Sequence, residues 1–440
     1  MSVNFRKLRV LLVLIPLVLF LLSCIKTPPV TSPSPVPTPA EATPVATTQP
    51  ATSSPSVVTP SVPSPTPLTT RTPAVTPVPV TPSALPALTP PPPTPLPSPS
   101  LPPVSSVLVP NLEVIASGLE VPWALAFAPD GRLFFTERPG RVRVMEQGKL
   151  LDEPVARLDV AAVSEGGLLG LALDPDFRAN GYLYVYYTYR SAGTLRNKVE
   201  RLTIKDNKAM ESKVLIEGIP GNAIHDGGRL KFGPDDKLYI TTGDAGDARL
   251  SQNLQSLAGK ILRLNQDGTI PQDNPFPGSA VYSWGNRNPE GLAWQPGTGL
   301  LFSTEHSSSA HDELNIIKPG TNYGWPTITG KQTAPELVSP LIESGSDTWA
   351  PAGMTFYQGA VFQQWEGNLF FGTLRGEHLH RVVLSGQEVA SEEKLFQGEL
   401  GRIRDVLEGP DGFLYFTTSN RDGRGSIRLG DDHIYRLAPK

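Results

Sequence analysis

Six stretches of this chain repeat one form, in which a short apolar strand meets a Pro/Asp/Gly turn and a second β-rich strand leaves it: "ALAFAPDGRLFFTER", "GLALDPDFRANGYLYVYYT", "RLKFGPDDKLYITTGD", "GLAWQPGTGLLFSTEH", "GMTFYQGAVFQQWEGNLFFGT" and "DVLEGPDGFLYFTTSN". The turns carry the residues a hairpin demands. Most units are followed by a further alternating strand, as in "RVRVME", "VERLTI", "KILRLN", "ELNIIK", "HLHRVVL" and "HIYRLAP". Repeats of three or four strands each, without helical periodicity, predict an all-β fold, a six-bladed β-propeller. In such a fold the loops at one end of a central channel converge on one pocket.

The repeats occupy only residues 111–440. Ahead of them, residues 25–110 are built from Pro, Thr, Ser, Val and Ala, with Glu41 and Arg71 the only charges between Thr27 and Pro110. Such a stretch buries too little apolar surface to offset its ordering entropy and reads as an extended, disordered linker. Residues 1–24 carry Arg6, Lys7 and Arg9 before an apolar run from Val10 to Leu22 that ends in "LLSC". This is the pattern of a secretory signal peptide, and its ending resembles a bacterial lipobox with Cys24 as the lipidated residue. Cys24 is the only cysteine, so disulfides are excluded. The expectation is an exported lipoprotein, lipid-anchored on the extracytoplasmic face of a bacterial membrane. With 38 Lys and Arg against 42 Asp and Glu, no nucleic-acid partner is expected.

Unusual polar residues recur at corresponding points of the repeats. His225 stands before two glycines and an arginine in "HDGGRL", at the entrance to an inner strand. Glu165 lies in "SEGGLLG", Arg287 and Asn288 in "GNRNP", Arg375 in "GTLRGEH", and Arg402 and Arg404 in "GRIRD". Arginines at alternate strand positions point to one face and can together hold carboxylates of a ligand. Pairing with a neighbouring carboxylate such as Asp405 is the bland alternative. "SSSAHDELN" and "TNYG" suggest a hard cation, because Asp312 and Glu313 offer oxygens beside loop carbonyls, as calcium prefers. His378 and His380 alternate along a strand and read as structural.

Taken together, "PWALAFAPDGRLFFTER", "GGLLGLALDPDF", "HDGGRL", "SLAGKILRLNQDGTIPQDNPF", "GNRNPEGLAW", "DELNIIKPGTNYGWP", "PAGMTFY" and "GRIRDVLEGPDGFLYFTT" resemble the soluble quinoprotein glucose/sorbosone dehydrogenase family, in its aldose sugar dehydrogenase branch. The resemblance runs in collinear order through residues 111–440. It implies a propeller that binds pyrroloquinoline quinone (PQQ) and calcium and oxidises the anomeric carbon of aldose sugars to lactones, passing electrons to an external acceptor. Three carboxylates on that cofactor would account for the arginines. The resemblance makes His225 the general base, with Arg287 also catalytic. Cofactor contacts then fall to Glu165, His225, Arg287, Asn288, Arg375, Arg402 and Arg404, and calcium contacts to Ser307, Ser308, Glu313 and Tyr323, the last through its carbonyl.

This chain departs from the family pattern at several of these positions. Glu165 replaces a common glutamine, and a carboxylate there is expected to repel cofactor carboxylates unless it is protonated or turned away. Ser307 and Ser308 replace a Gly-Pro pair, His311 replaces a small or acidic residue, and Arg375 replaces lysine. Two other functions fit the same residues. One is a calcium-dependent lactonase or esterase in which His225 and the acidic cluster activate water. The other is a non-catalytic cell-surface binding propeller.

Overall fold

The computed structural model describes residues 110–440. The signal peptide, Cys24 and the linker lie outside the described residues. Six antiparallel sheets follow one another along the chain. Their inner strands are Pro122–Phe127, Leu168–Leu173, Leu230–Phe232, Pro289–Trp294, Pro351–Phe356 and Ile403–Glu408, which define blades 1 to 6. The fold is the six-bladed β-propeller that the repeats predict.

An Asp in several of the turns explains part of the repeat's form. Asp130, Asp235 and Asp411 each accept the main-chain N–H two residues on, at 3.1, 3.2 and 3.2 Å, which closes the hairpin locally. The aromatic residues explain how blades adhere. Phe127 meets Tyr415, Phe134 meets Phe177, Tyr184 meets Phe232, Tyr239 meets Trp294 and Phe302 meets Phe356, with centroids 4.9–5.6 Å apart and rings edge to face. Phe396 and Phe416 stack at the remaining seam, between blades 5 and 6. Each such pair contributes about 0.5–1.5 kcal/mol beyond the area it buries.

Closure comes from the far end of the domain. Pro110–Ala116 pairs antiparallel with Ile434–Pro439 and completes blade 6 as its outer strand. Arg436 and Glu113 reinforce the seam at 2.5 Å.

A buried layer divides the central channel. Arg229 lies over the Trp123 ring at 4.3 Å, pairs with Asp405 at 3.1 Å and donates through Nε to the Glu290 carbonyl. Arg404 approaches the same ring at 5.6 Å and pairs with Glu290 at 3.0 Å. Above this layer, where the inner strands begin, lies a cavity of about 480 Å³; below it, where they end, lies one of about 210 Å³.

Candidate active site

The larger cavity is lined by the loops at that end of the channel, both those that precede inner strands and those that join the second and third strands of blades, and six arginines reach it: Arg138, Arg287, Arg375, Arg402, Arg404 and Arg424. His225, Glu165 and Glu290 line it too. Of the arginines, Arg402 pairs with Asp422 at 2.7 Å, Arg404 with Glu290, and Arg424 with Glu165 at 2.6 Å. Asp405, the carboxylate named in the alternative reading of the strand arginines, holds Arg229, while Arg402 and Arg404 are paired with Asp422 and Glu290. Arg375 is exposed and has no carboxylate partner among the described residues. A cavity rimmed by guanidinium groups, one uncommitted, suits a rigid polyanion.

His225 owes its place to the backbone. Its φ is 60°, and Gly227 and Gly228 follow at 64° and 109°. A Cβ on Gly227 would come within 2.7 Å of the Thr242 Cα, and one on Gly228 within 2.8 Å of Leu169. The two glycines therefore let this loop lie against the neighbouring strand and blade 2. Thr242 ends that strand, and two residues on stands Asp244, whose Oδ1 is 2.7 Å from the His225 Nδ1. Asp244 is itself held by the Trp325 indole N–H at 2.9 Å and by the Gly246 amide. The buried carboxylate fixes the tautomer with the proton on Nδ1 and leaves Nε2, which has no partner among the described residues, able to accept one.

Glu165 is ionised. Burial pushes its carboxyl up, but the His225 amide and Arg424 outweigh this and hold it below the usual range. Its Oε2 accepts the His225 main-chain N–H at 2.6 Å. The carboxylate is thus turned onto protein partners, the second of the two ways in which its charge becomes tolerable.

Behind Arg287 lies a very small enclosed space bordered by Glu305, Ser307, Glu313 and Tyr323. Burial, and for Glu305 the neighbouring Glu313 charge, push these two carboxyls up. Asn286 and Asn315 donate to them at 2.7 and 3.0 Å, yet the Oδ1 atoms of both amides lack a donor among the described residues. Two buried carboxylates with orphaned amide oxygens nearby form a donor set that fits a hard cation. Asp312 is not free to join them: its two oxygens accept the amides of Ser307, Trp349 and Ala350.

Comparison with known proteins bears on this arrangement directly. The family model for glucose/sorbosone dehydrogenases matches residues 119–430. The chain belongs to the glucose/sorbosone dehydrogenase family. The chain is 34% identical over 340 residues to the aldose sugar dehydrogenase YliI of Escherichia coli, covering 71% of this chain and 91% of that one. It is 35% identical over 252 residues to quinoprotein glucose dehydrogenase B of Acinetobacter calcoaceticus, covering 50% and 52%. Among solved structures, the PQQ-bound aldose sugar dehydrogenase of Streptomyces coelicolor superposes with a TM-score of 0.69 at 37% identity, over 76% of this chain and 99% of that one.

Most residues singled out from the sequence converge. Glu165, His225, Arg287, Ser307, Ser308, Arg375, Arg402 and Arg404 all line the larger cavity. Asn288 does not: it is fully buried, accepts the Gly227 amide at 2.9 Å and donates to Glu290 at 3.2 Å, so it braces the histidine loop. Glu313 and Tyr323 border the small space, and the Ser307 carbonyl accepts from Arg287 at 2.5 Å. His378 and His380 are buried in blade 5, bonded to each other at 3.0 Å. Sequence reasoning missed Asp244, Glu305, Trp123, Arg138 and Arg424. Asp244 had a signal, since it ends the quoted stretch "LYITTGD" two residues after a strand that pairs with the histidine's own.

Proposed function

We propose that this protein oxidises the anomeric carbon of aldose sugars to lactones, using PQQ and calcium, with His225 as general base. The observation that carries the reading is the His225–Asp244 pair at the edge of a cavity rimmed by six arginines. Arg402, Arg404, Arg375 and Arg287 would hold the cofactor's carboxylates and carbonyls. When bound, the quinone supplies a two-electron acceptor for the C1 hydrogen. His225 Nε2 takes the proton of the C1 hydroxyl, and Asp244 stabilises the resulting imidazolium through Nδ1–H. Glu305 and Glu313, with carbonyls such as those of Tyr323, Ser307 and Ser308, would supply oxygens for calcium. A separate acceptor would take up the electrons, and the protein would be exported and held at a membrane by a lipid on Cys24.

Residues 111–440 are to be purified without cofactor, mixed with PQQ and calcium, and offered a panel of aldoses with an artificial dye acceptor. Sugar-dependent dye reduction that needs both additions is the expected result. Hydrolysis of lactones or esters with calcium alone, and no dye reduction, would replace this reading with the hydrolase one. Labelling of the full chain with a radioactive fatty acid, lost in Cys24→Ser, tests the anchor.

A further inference from the structure

Glu165 serves two partners at once. Through Oε2 it accepts the His225 main-chain N–H at 2.6 Å, and through Oε1 it meets Arg424 at 2.6 Å. The two residues come from distant loops: Glu165 leads into the inner strand of blade 2, and Arg424 follows the strand Leu414–Thr418 of blade 6. Their contact therefore reaches across blade 1, whose Arg138 feels both charges. Both residues also line the larger cavity.

Three cavity arginines are held by the protein's own carboxylates, and the three pairs are unlike. Asp422 and Glu290 are buried, so breaking the Arg402 or Arg404 pair strands a charge in the interior. The Glu165–Arg424 pair is the open one, with side-chain exposures of 22% and 52%. Ion pairs of that exposure are weak, and a competing anion can displace one partner. Loss of Arg424 would still leave Glu165 bonded to the His225 amide.

We propose that Glu165 is an internal counter-ion of the cofactor site: it occupies Arg424 until a carboxylate of the incoming polyanion takes its place. Loading is then an exchange of one carboxylate for another, and Glu165 sets how tightly the anion binds. The hold on the His225 main chain persists throughout, through the other oxygen. This rests on the cofactor assignment under Proposed function and adds to it a residue that opposes binding while it positions the base.

The test is a titration of the calcium-loaded, cofactor-free full-length protein with PQQ, followed by quenching of tryptophan fluorescence. Glu165→Gln keeps an oxygen for the His225 amide and removes the charge, so the loop should stay in place while affinity rises by about 10-fold. Arg424→Gln should weaken binding, and by several-fold more in the Glu165→Gln background than in the wild type, because only there is Arg424 free before loading. Equal or weaker binding by Glu165→Gln, or an Arg424→Gln loss of the same size in both backgrounds, overturns the proposal while the cofactor assignment stands. Failure of the wild type and every variant to bind PQQ overturns both. Unchanged melting temperatures across the set identify the affinity changes as local.

Discussion

The two ends of the central channel are made by the same six inner strands, yet they have opposite chemistry. The upper cavity is bordered by His225, Glu290, Arg402 and Arg404, which lie at or just before the beginnings of strands. The lower one is bordered mainly by Leu125, Phe127, Leu171, Phe232, Leu292 and Met354, with Lys231 and Asp405 among them. Residues that end an inner strand also make the seams, as Phe127, Phe232, Trp294 and Phe356 do against the preceding blade. Blade adhesion thus claims one end of four of the six inner strands and leaves the other free for chemistry. The Trp123–Arg229–Asp405 layer keeps the two apart.

The division is broken most severely at the base. His225→Ala should lower kcat by about 10²-fold or more with calcium and cofactor binding nearly intact. Asp244→Asn should approach the same loss, because an amide facing Nδ1 no longer fixes the proton there and can reverse the tautomer. Steady-state kinetics at saturating cofactor checks both. Normal turnover by either variant, once reconstituted, would show that the upper end is a binding surface whose chemistry lies elsewhere.

The arginines sharpen the comparison within the upper cavity itself. Arg402 is buried against Asp422, whereas Arg375 is exposed and unpaired among the described residues. Arg402→Ala should therefore weaken cofactor affinity by roughly 10- to 100-fold and also lower the melting temperature, since it strands a buried carboxylate. Arg375→Ala should cost about 10-fold or less in affinity and leave melting unchanged. Calcium removal by a chelator should abolish activity reversibly. Glu313→Gln should raise the calcium needed for half-maximal activity by about 10-fold, one ligand charge having been removed. Activity that survives exhaustive chelation would remove the cation from the site.

What was legible in the sequence divides along a similar line. The six units could be read because each turn carries Pro, Gly or Asp, four of the turns being closed by their own Asp, and because aromatics recur in the strands that meet at the seams. His225, Arg402 and Arg404 could be read because they break an otherwise apolar pattern. Contacts set by register between distant segments could not. Nothing local in "PNLEVIA" says that it will close the ring against Ile434–Pro439. Nor does "RDGRGS" announce that Arg424 will meet Glu165 across an intervening blade. Chemistry was also read where packing decides: Asn288 and Asp312 look like ligands in their motifs, but their polar atoms are engaged by the loops they hold in place.

The smallest effect belongs to the lower cavity, and its sign with pH separates that end from the upper one. Burial pushes the Lys231 ammonium down to about 8 from its usual 10.5, Asp405 countering and Arg229 adding to the shift. Its one acceptor among the described residues is the Met354 carbonyl at 3.5 Å, a contact too long to offset desolvation. A lysine whose folded value is depressed binds fewer protons folded than unfolded between those two values, so its penalty is greatest below pH 8 and fades as pH rises toward 10.5. Lys231→Met should accordingly stabilise the domain by on the order of 1 kcal/mol near neutral pH, the half-open site discounting the full shift, and by progressively less at higher pH. Its kcat and cofactor affinity should match the wild type, because the buried layer intervenes. Denaturant melts from pH 7 to 10.5 read the stability difference; a gain that grows with pH, or a loss of turnover, would mean that the lower end is coupled to the site above it.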